Sequence, residues 1–430
     1  MFEKLNLLIP IGNFIRNKSI QNFLFLAVIQ SSNVLISLIS MPLLIQSIGV
    51  DQFGLVNLAL SVIILLNILV GFGYNLSAPR EVALHQGDKT ALSHVVSNVF
   101  SGKVLLAVLA TFLILTGAFG LNLFQEYRMI LVFSVLLLFS EATLPLWFFQ
   151  GMEKMKLVSI ANIFSKLLFL MGIVLFIHSP EQSKWVNFLM GFFGLGINLL
   201  LLGYIHSFLG IRFYRPEISA IWKSLKDNML LFFSNLASHI SINGGLIILS
   251  FFSVAETLGM YSLAERVVMV LRLFPALIIQ AIFPNAARLF KDDREGFYRF
   301  LKGVYIRVLF FGGFISAGAF LTAPLIIRVL SRSELAESVI YLQFLSPVPF
   351  LACLNVGNIT LLLVSDLKEL LFRASWMMCV YMIVVSVILT FWMGGIGLCI
   401  GIISTEIVVF LICLVLLYRQ NRALVYGFYS

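Results

Sequence analysis

The chain is a succession of apolar runs, most of them about twenty residues or longer, each closed by a short polar loop. A run of that length, rising about 1.5 Å per residue as a helix, crosses the roughly 30 Å hydrocarbon layer of a bilayer. Backbone amides and carbonyls find no water there, so such a series predicts a bundle of membrane-spanning helices and little else. About twelve segments qualify, near residues 22–46, 53–78, 98–120, 128–150, 157–178, 185–209, 229–253, 258–283, 304–327, 338–363, 374–393 and 395–417. Composition agrees: 60% of the 430 residues are hydrophobic and 11% charged, with mean hydropathy +1.02, where a soluble domain carries about a quarter charged residues. The expected fold class is all-α integral membrane.

The net charge of +9 does not indicate nucleic acid, because the Lys and Arg residues lie in short loops between apolar runs rather than in a basic domain. They set orientation instead. With both termini cytoplasmic, that side carries Lys4, Arg16 and Lys18, then Arg80, Lys89 and Lys103, then Lys154 and Lys156, then Arg212, Arg215, Lys223 and Lys226. Arg288, Lys291, Arg294, Arg299, Lys302, Lys368, Arg373, Arg419 and Arg422 follow on the same side, leaving Arg128, Lys184, Arg328 and Arg332 opposite. Cys353, Cys379, Cys399 and Cys413 sit in apolar runs without a CxxC pair. No cluster of His, Asp or Glu at helix ends suggests a metal or catalytic site, so neither a cofactor nor catalytic residues are expected. Met1 to Ile11 is too short an apolar patch for a signal peptide. Phe2, Leu5, Leu8, Ile11, Phe14 and Ile15 have the spacing of a short interfacial helix.

The chain also resembles itself. Asp51, Phe53-Gly54-Leu55, Asn57, Leu58 and Ala59 correspond, 205 residues later, to Glu256, Leu258-Gly259-Met260, Ser262, Leu263 and Ala264. Ala78-Pro79-Arg80-Glu81-Val82 falls on Phe283-Pro284-Asn285-Ala286-Ala287, and Leu144-Pro145 answers Val348-Pro349 one residue out of register. Two lobes of six helices each, residues 1–209 and 229–430, are expected to share one orientation about an axis along the membrane normal, joined by a charged cytoplasmic linker over 210–228. Lobes around a cleft are the architecture of a transporter that exposes a midplane site alternately to each side.

Polar residues inside the spans mark the candidate site, since an Arg or Lys at the bilayer centre costs about 2.5–3.5 kcal/mol and usually faces a wet cavity or a partner. Arg266 and Arg272 lie about 12 and 21 Å along the eighth span and about 120° apart around it. An anion site in the cavity is the functional reading; a lobe-to-lobe ion pair or snorkelling is the structural one. Lys166 and Arg307 lie nearer the cytoplasmic ends of their spans. Glu265 adjoins Arg266, but neighbours on a helix do not face each other. Glu141 and Glu406 are deep enough for proton coupling, with a structural hydrogen bond as the plainer role. Asn67, Asn75, His239 and Asn243 are candidate polar residues of the cleft, beside Asn57, Ser61 and the close-packing pair Gly244-Gly245.

These residues fall in a familiar order. Ala27-Val28-Ile29-Gln30-Ser31-Ser32-Asn33, Pro42, Ile48-Gly49-Val50-Asp51-Gln52-Phe53-Gly54 and Gly71-Phe72-Gly73-Tyr74-Asn75-Leu76 resemble the opening of Wzx-type O-antigen flippases. So do Leu146-Trp147-Phe148-Phe149-Gln150-Gly151-Met152-Glu153-Lys154-Met155-Lys156, Gln280-Ala281-Ile282-Phe283-Pro284 and Ser346-Pro347-Val348-Pro349-Phe350. The resemblance implies a MATE-like six-plus-six fold of the multidrug/oligosaccharidyl-lipid/polysaccharide exporter superfamily. It also implies a non-enzymatic translocase that carries undecaprenyl-diphosphate-linked oligosaccharide from the cytoplasmic to the periplasmic leaflet of a bacterial inner membrane. A polysaccharide polymerase and a chain-length regulator are the partners that go with it, and a proton gradient the coupling suggested for some members. A basic residue is usual at the position of Arg266. Other readings are less well matched. A lipid II flippase usually has basic residues in its first span, and 22–46 has none; a drug/cation antiporter is expected to carry a membrane-embedded acid in the first lobe's opening spans, where only Asp51, in a loop, is found; a polymerase or ligase would need long periplasmic loops. Reporter fusions at loops carrying Arg212–Lys226 and Arg288–Lys302 should read cytoplasmic, and fusions near Lys184 and Arg332 periplasmic; the reverse pattern overturns the orientation.

Overall fold

The structure, a computed structural model, describes residues 18–121, 125–215 and 218–429. The expected interfacial helix over Phe2 to Ile15 lies outside these residues. Helices follow one another along the described chain: α1 (Lys18–Gly71), α2 (Tyr74–Leu84), α3 (Lys89–Leu115), α4 (Arg128–Ser134), α5 (Leu136–Thr143), α6 (Leu146–Gly151), α7 (Met155–Phe176), α8 (Ser183–Ser207) and α9 (Ile218–Asn243). Then come α10 (Gly245–Ser250), α11 (Ala255–Asp292), α12 (Arg294–Ser331), α13 (Ala336–Leu345), α14 (Val348–Leu354), α15 (Val356–Val364), α16 (Lys368–Gln420) and α17 (Arg422–Tyr429). Among the described residues nine stretches are long and apolar enough to cross a membrane. The protein is a multi-pass helical membrane protein.

The helices are apolar on both sides, as lipid demands. On α12 Val308, Gly312, Ser316, Ala319, Ala323 and Ile327 are buried, while Phe310, Phe314, Leu321 and Leu325 are exposed. Hydroxyls inside the bundle turn back on their own helices: Ser134 donates to the Ile130 carbonyl, Ser262 to Leu258 and Thr360 to Val356. That satisfies a polar group without a second helix.

Glycines and prolines set the breaks. α1 is two helices joined at Gly49, whose φ of +83° lies in the left-handed region, and α16 is likewise split at Gly394, φ +57°. The latter falls between the eleventh and twelfth expected spans, 374–393 and 395–417, where the pattern predicts a turn. Prolines mark breaks at corresponding places in the repeat: Pro145 separates α5 from α6, and Ser346-Pro347, just before the repeat-related Pro349 in the first turn of α14, separates α13 from α14. The second span, expected unbroken over 53–78, stops at Gly71; Phe72 and Gly73 both have positive φ before α2 begins.

By contacts the chain forms two units. One holds the first half of α1 up to Ser40 and Leu66–Phe233, around Tyr74, Val82, Leu92, Trp147, Phe148, Met155 and Ile205. The segment 210–228, expected as a loop, is coil over 210–215 and helical from Ile218. The amides of Arg212 and Tyr214 donate to Ser93 and Ser97 hydroxyls at 3.0 and 2.8 Å. α9 then buries Ile221 and Leu225, one turn apart, which is why this charged stretch is helical.

The other unit holds Met41–Leu65 and the chain from Ser234 onward, around Phe297, Leu301, Leu361, Leu362, Leu417 and Phe428. Within it Gly54 packs on Gly259, the residue the repeat makes its equivalent. A Cβ on Gly54 would stand 2.6 Å from the Ala255 carbonyl oxygen and 2.9 Å from Gly259 Cα, and one on Gly259 would meet Val50 Cγ1 at 2.7 Å. Backbone cannot yield as a side chain can. Gly54→Ala or Gly259→Ala should therefore cost about 1–3 kcal/mol or more, read as a lower melting temperature in detergent, whereas Gly318→Ala, with open space around it, should cost nothing.

Candidate functional site

The third turn of α11 carries the most constrained cation. Arg266 donates from Nε at 3.2 Å and Nη2 at 2.9 Å to one acceptor, Asn57 Oδ1. Asn57 is buried and its own Nδ2 donates to the Phe53 carbonyl at 2.8 Å, which fixes the amide so that its oxygen faces the guanidinium. Gly54 lies three residues before Asn57 and Gly259 seven before Arg266, and their close approach is what brings the two helices within reach. A charged group deep in an apolar helix is thus held by a neutral amide. Asn57 was visible in the sequence as a polar residue of the second span, but its partner stands 209 residues away, a distance no spacing rule spans.

Two other cations inside the units are ion-paired. Arg272, two turns further along α11, forms an ion pair with Glu406 of α16. Lys103 of α3 lies 3.4 Å from Glu141 of α5. Lys103 corrects the sequence reading: expected with the cytoplasmic loop residues Arg80 and Lys89, it is 1% exposed inside its unit. The α3 helix starts at Lys89, so by Lys103 the chain is already about 21 Å along it. Glu141 and Glu406, the acids expected for proton coupling, each hold a cation.

Lys166 on α7 makes no hydrogen bond or ion pair among the described residues. One turn earlier on the same face, Asn162 has a buried amide oxygen without a hydrogen-bond partner, as does Asn67 in the same unit. Arg307 is exposed, donates to the Gly303 carbonyl of its own helix at 2.8 Å, and shares its surface with exposed Ile306 and Phe310. His239 is exposed and Asn243 half-buried one turn on, with Asn243 Nδ2 donating to the His239 carbonyl at 3.2 Å. Asn75 is exposed at the start of α2. The structure thus brings Arg266 and Arg272 onto one helix of one unit, with His239, Asn243 and Arg307 elsewhere in that unit, and places Lys166 and Asn67 in the other.

Among the described residues no three His, Cys, Asp or Glu side chains gather where they could hold a metal, and the four cysteines are buried and unpaired. What the arrangement offers is hydrogen bonding and positive charge inside an apolar bundle, which is the equipment for binding an anion.

The fold is one that solved membrane transporters share. It superposes on an inward-facing multidrug resistance MATE family transporter of the MOP superfamily with a TM-score of 0.73, at 12% identity, covering 94% of this chain and 99% of that one. It superposes on the lipid II flippase MurJ in an inward closed conformation with a TM-score of 0.72, at 16% identity, covering 94% and 90%. Residues 19–290 match the family described as "Polysaccharide biosynthesis protein", and the chain belongs to that family. Similar curated proteins carry the name "Putative O-antigen transporter": one from Escherichia coli K12, 24% identical over 94% of this chain and 98% of its own length, and one from Shigella dysenteriae, 27% identical over 92% and 98%.

The Lys103 and Glu141 pair gives a test of how the interior is held together. Lys103→Met leaves a half-buried carboxylate without its cation and should cost about 3 kcal/mol, the low end for such a pair because Glu141 keeps some water contact. Lys103→Met with Glu141→Leu should recover most of that loss in thermal unfolding; equal losses in the single and double variants would mean the pair does not couple.

Proposed function

We propose that the protein is a flippase for undecaprenyl-diphosphate-linked oligosaccharide, an O-antigen or other surface polysaccharide repeat unit, moved from the cytoplasmic to the periplasmic leaflet of the bacterial inner membrane. In this reading twelve spans form lobes over 1–209 and 229–430, with 210–228 between them, both termini are cytoplasmic, and transport proceeds by alternating access. A polysaccharide polymerase and a chain-length regulator use the product. The membership in a polysaccharide biosynthesis family and the names of the relatives support the substrate class.

The observation that carries the chemistry is the Arg266 guanidinium held by the neutral Asn57 amide. A diphosphate offers charged acceptors in place of one amide oxygen, and a charge-assisted bond is roughly twice as strong as a neutral one. Arg266 therefore exchanges Asn57 for the substrate at little cost, and Met41–Leu65 loses one of the contacts that keep it in its unit. Arg272 adds charge on the same helix, with Lys166 and Arg307 as further cations, while Asn67, Asn75, His239 and Asn243 serve the glycan. The polyprenyl tail stays in lipid.

Arg266→Ala with Arg272→Ala should abolish surface polysaccharide in a flippase-null strain while the protein still inserts; full complementation overturns the anion site. Asn57→Asp should lower transport about tenfold or more, because it replaces an exchangeable amide with a buried ion pair, whereas Asn57→Ala should retain it. Lipopolysaccharide ladders with membrane-fraction immunoblots read both.

A further inference from the structure

Among the described residues three acids lie within the apolar helices, Glu406 and Glu265 buried and Glu141 half-buried, and Glu406 and Glu141 each have a cation. The third is Glu265, 8% exposed on α11. Its only hydrogen bond among the described residues comes from the Tyr261 hydroxyl, at 3.3 Å on Oε1. The adjacent Arg266 points to Asn57 instead. From α10, Gly245 brings only backbone beside Oε1. From α16, the Cys399 thiol is an electrostatic neighbour. From α13, Tyr341 packs edge-on to Tyr261 at 6.0 Å between ring centres, its hydroxyl engaged with Glu337 at 3.3 Å. No Lys or Arg of these packed elements reaches the carboxyl. A carboxylate taken out of water needs a cation or several donors to keep its charge, and one phenol is neither. A metal ion would require several oxygen ligands, and this pocket has a carboxyl and a hydroxyl.

We propose that Glu265 is a proton-binding site linked to the anion site at Arg266, so that a proton on the carboxyl and an anion on the guanidinium favour each other. This rests on the function proposed above for its anion, though not for its proton. The step is simple: a proton from water joins a carboxylate oxygen and gives a neutral carboxyl. Glu265 and Arg266 are successive residues, too far apart around the helix to pair but close enough in a poorly polarisable interior to feel each other's charge. An ionised Glu265 offsets the charge of Arg266. A protonated one leaves the guanidinium uncompensated and more attractive to a diphosphate. By reciprocity the bound diphosphate, itself anionic, raises the affinity of Glu265 for its proton. The sign follows: anion affinity is greatest when Glu265 is protonated and falls as pH rises.

Dicyclohexylcarbodiimide, which reacts with protonated carboxyls in apolar surroundings, tests the site on the full chain in nanodiscs. Peptide mass spectrometry should find Glu265 labelled, less so as pH rises, and Glu141 and Glu406 spared. Labelling of Glu141 or Glu406 in place of Glu265, labelling of Glu265 that ignores pH, or protection by sodium at fixed pH overturns the proposal. The linkage is read by binding of undecaprenyl diphosphate, which should be at least about fivefold tighter near pH 6 than near pH 8 in the native chain and pH-independent in Glu265→Gln. Equal pH dependence in both overturns the linkage. Failure of the probe to bind at any pH, with labelling intact, overturns the diphosphate reading and leaves the proton site standing.

Discussion

A charge carried into hydrocarbon must bring its own solvation, and nearly every polar feature of this protein answers that demand. The solutions differ in kind. Serine and threonine hydroxyls bond to the preceding turn of their own helix. Lys103 with Glu141 and Arg272 with Glu406 solve it by pairing opposite charges. Arg266 uses an uncharged amide, Arg307 the carbonyl of Gly303, and Glu265 a phenol. The ion pairs hold helices together; the last three leave a group whose charge is still available to something else.

That distinction separates framework from site. An ion pair within one unit is a closed account of charge, and breaking it leaves both partners exposed to a poor solvent. A cation on an amide, or a carboxyl on a phenol, keeps its capacity to meet a second charged species. The close packing of Gly54 on Gly259 supports this economy, because only a backbone approach that near lets a side chain as short as asparagine reach the guanidinium of the neighbouring helix.

Much of the fold was legible because lipid imposes a coarse rule: apolar length gives the helices, and Gly and Pro give the breaks. The split at Gly394 was readable in this way, whereas the spans expected unbroken over 128–150 and 338–363 are interrupted at Pro145 and at Pro347. Lys103 was misread because it lies in sequence near the loop residues Arg80 and Lys89, and position along a helix is uncertain until its first residue is known. The segment after Arg215 was misread for the opposite reason: its charges suggested a loop, while Ile221 and Leu225 make an apolar face one turn apart. At the site, Arg266 and Arg272 stood out as interruptions of an apolar run. Their partners, Asn57 and Glu406, could not be assigned, because both contacts join segments far apart in the chain and depend on helix rotation. Glu265 looked like a bystander beside Arg266, and only its burial and its neighbours single it out.

The neutral holder of Arg266 has a consequence at long range. Opposite charges in contact cancel, and a few ångströms away their field has largely gone; an amide cancels nothing. Beside a protonated Glu265 the guanidinium therefore keeps a monopole field, which low-dielectric walls concentrate along any water-filled path that opens toward it. A diphosphate entering such a path would be drawn inward before it touched a single side chain, and the asparagine would serve as a placeholder that keeps the beacon lit.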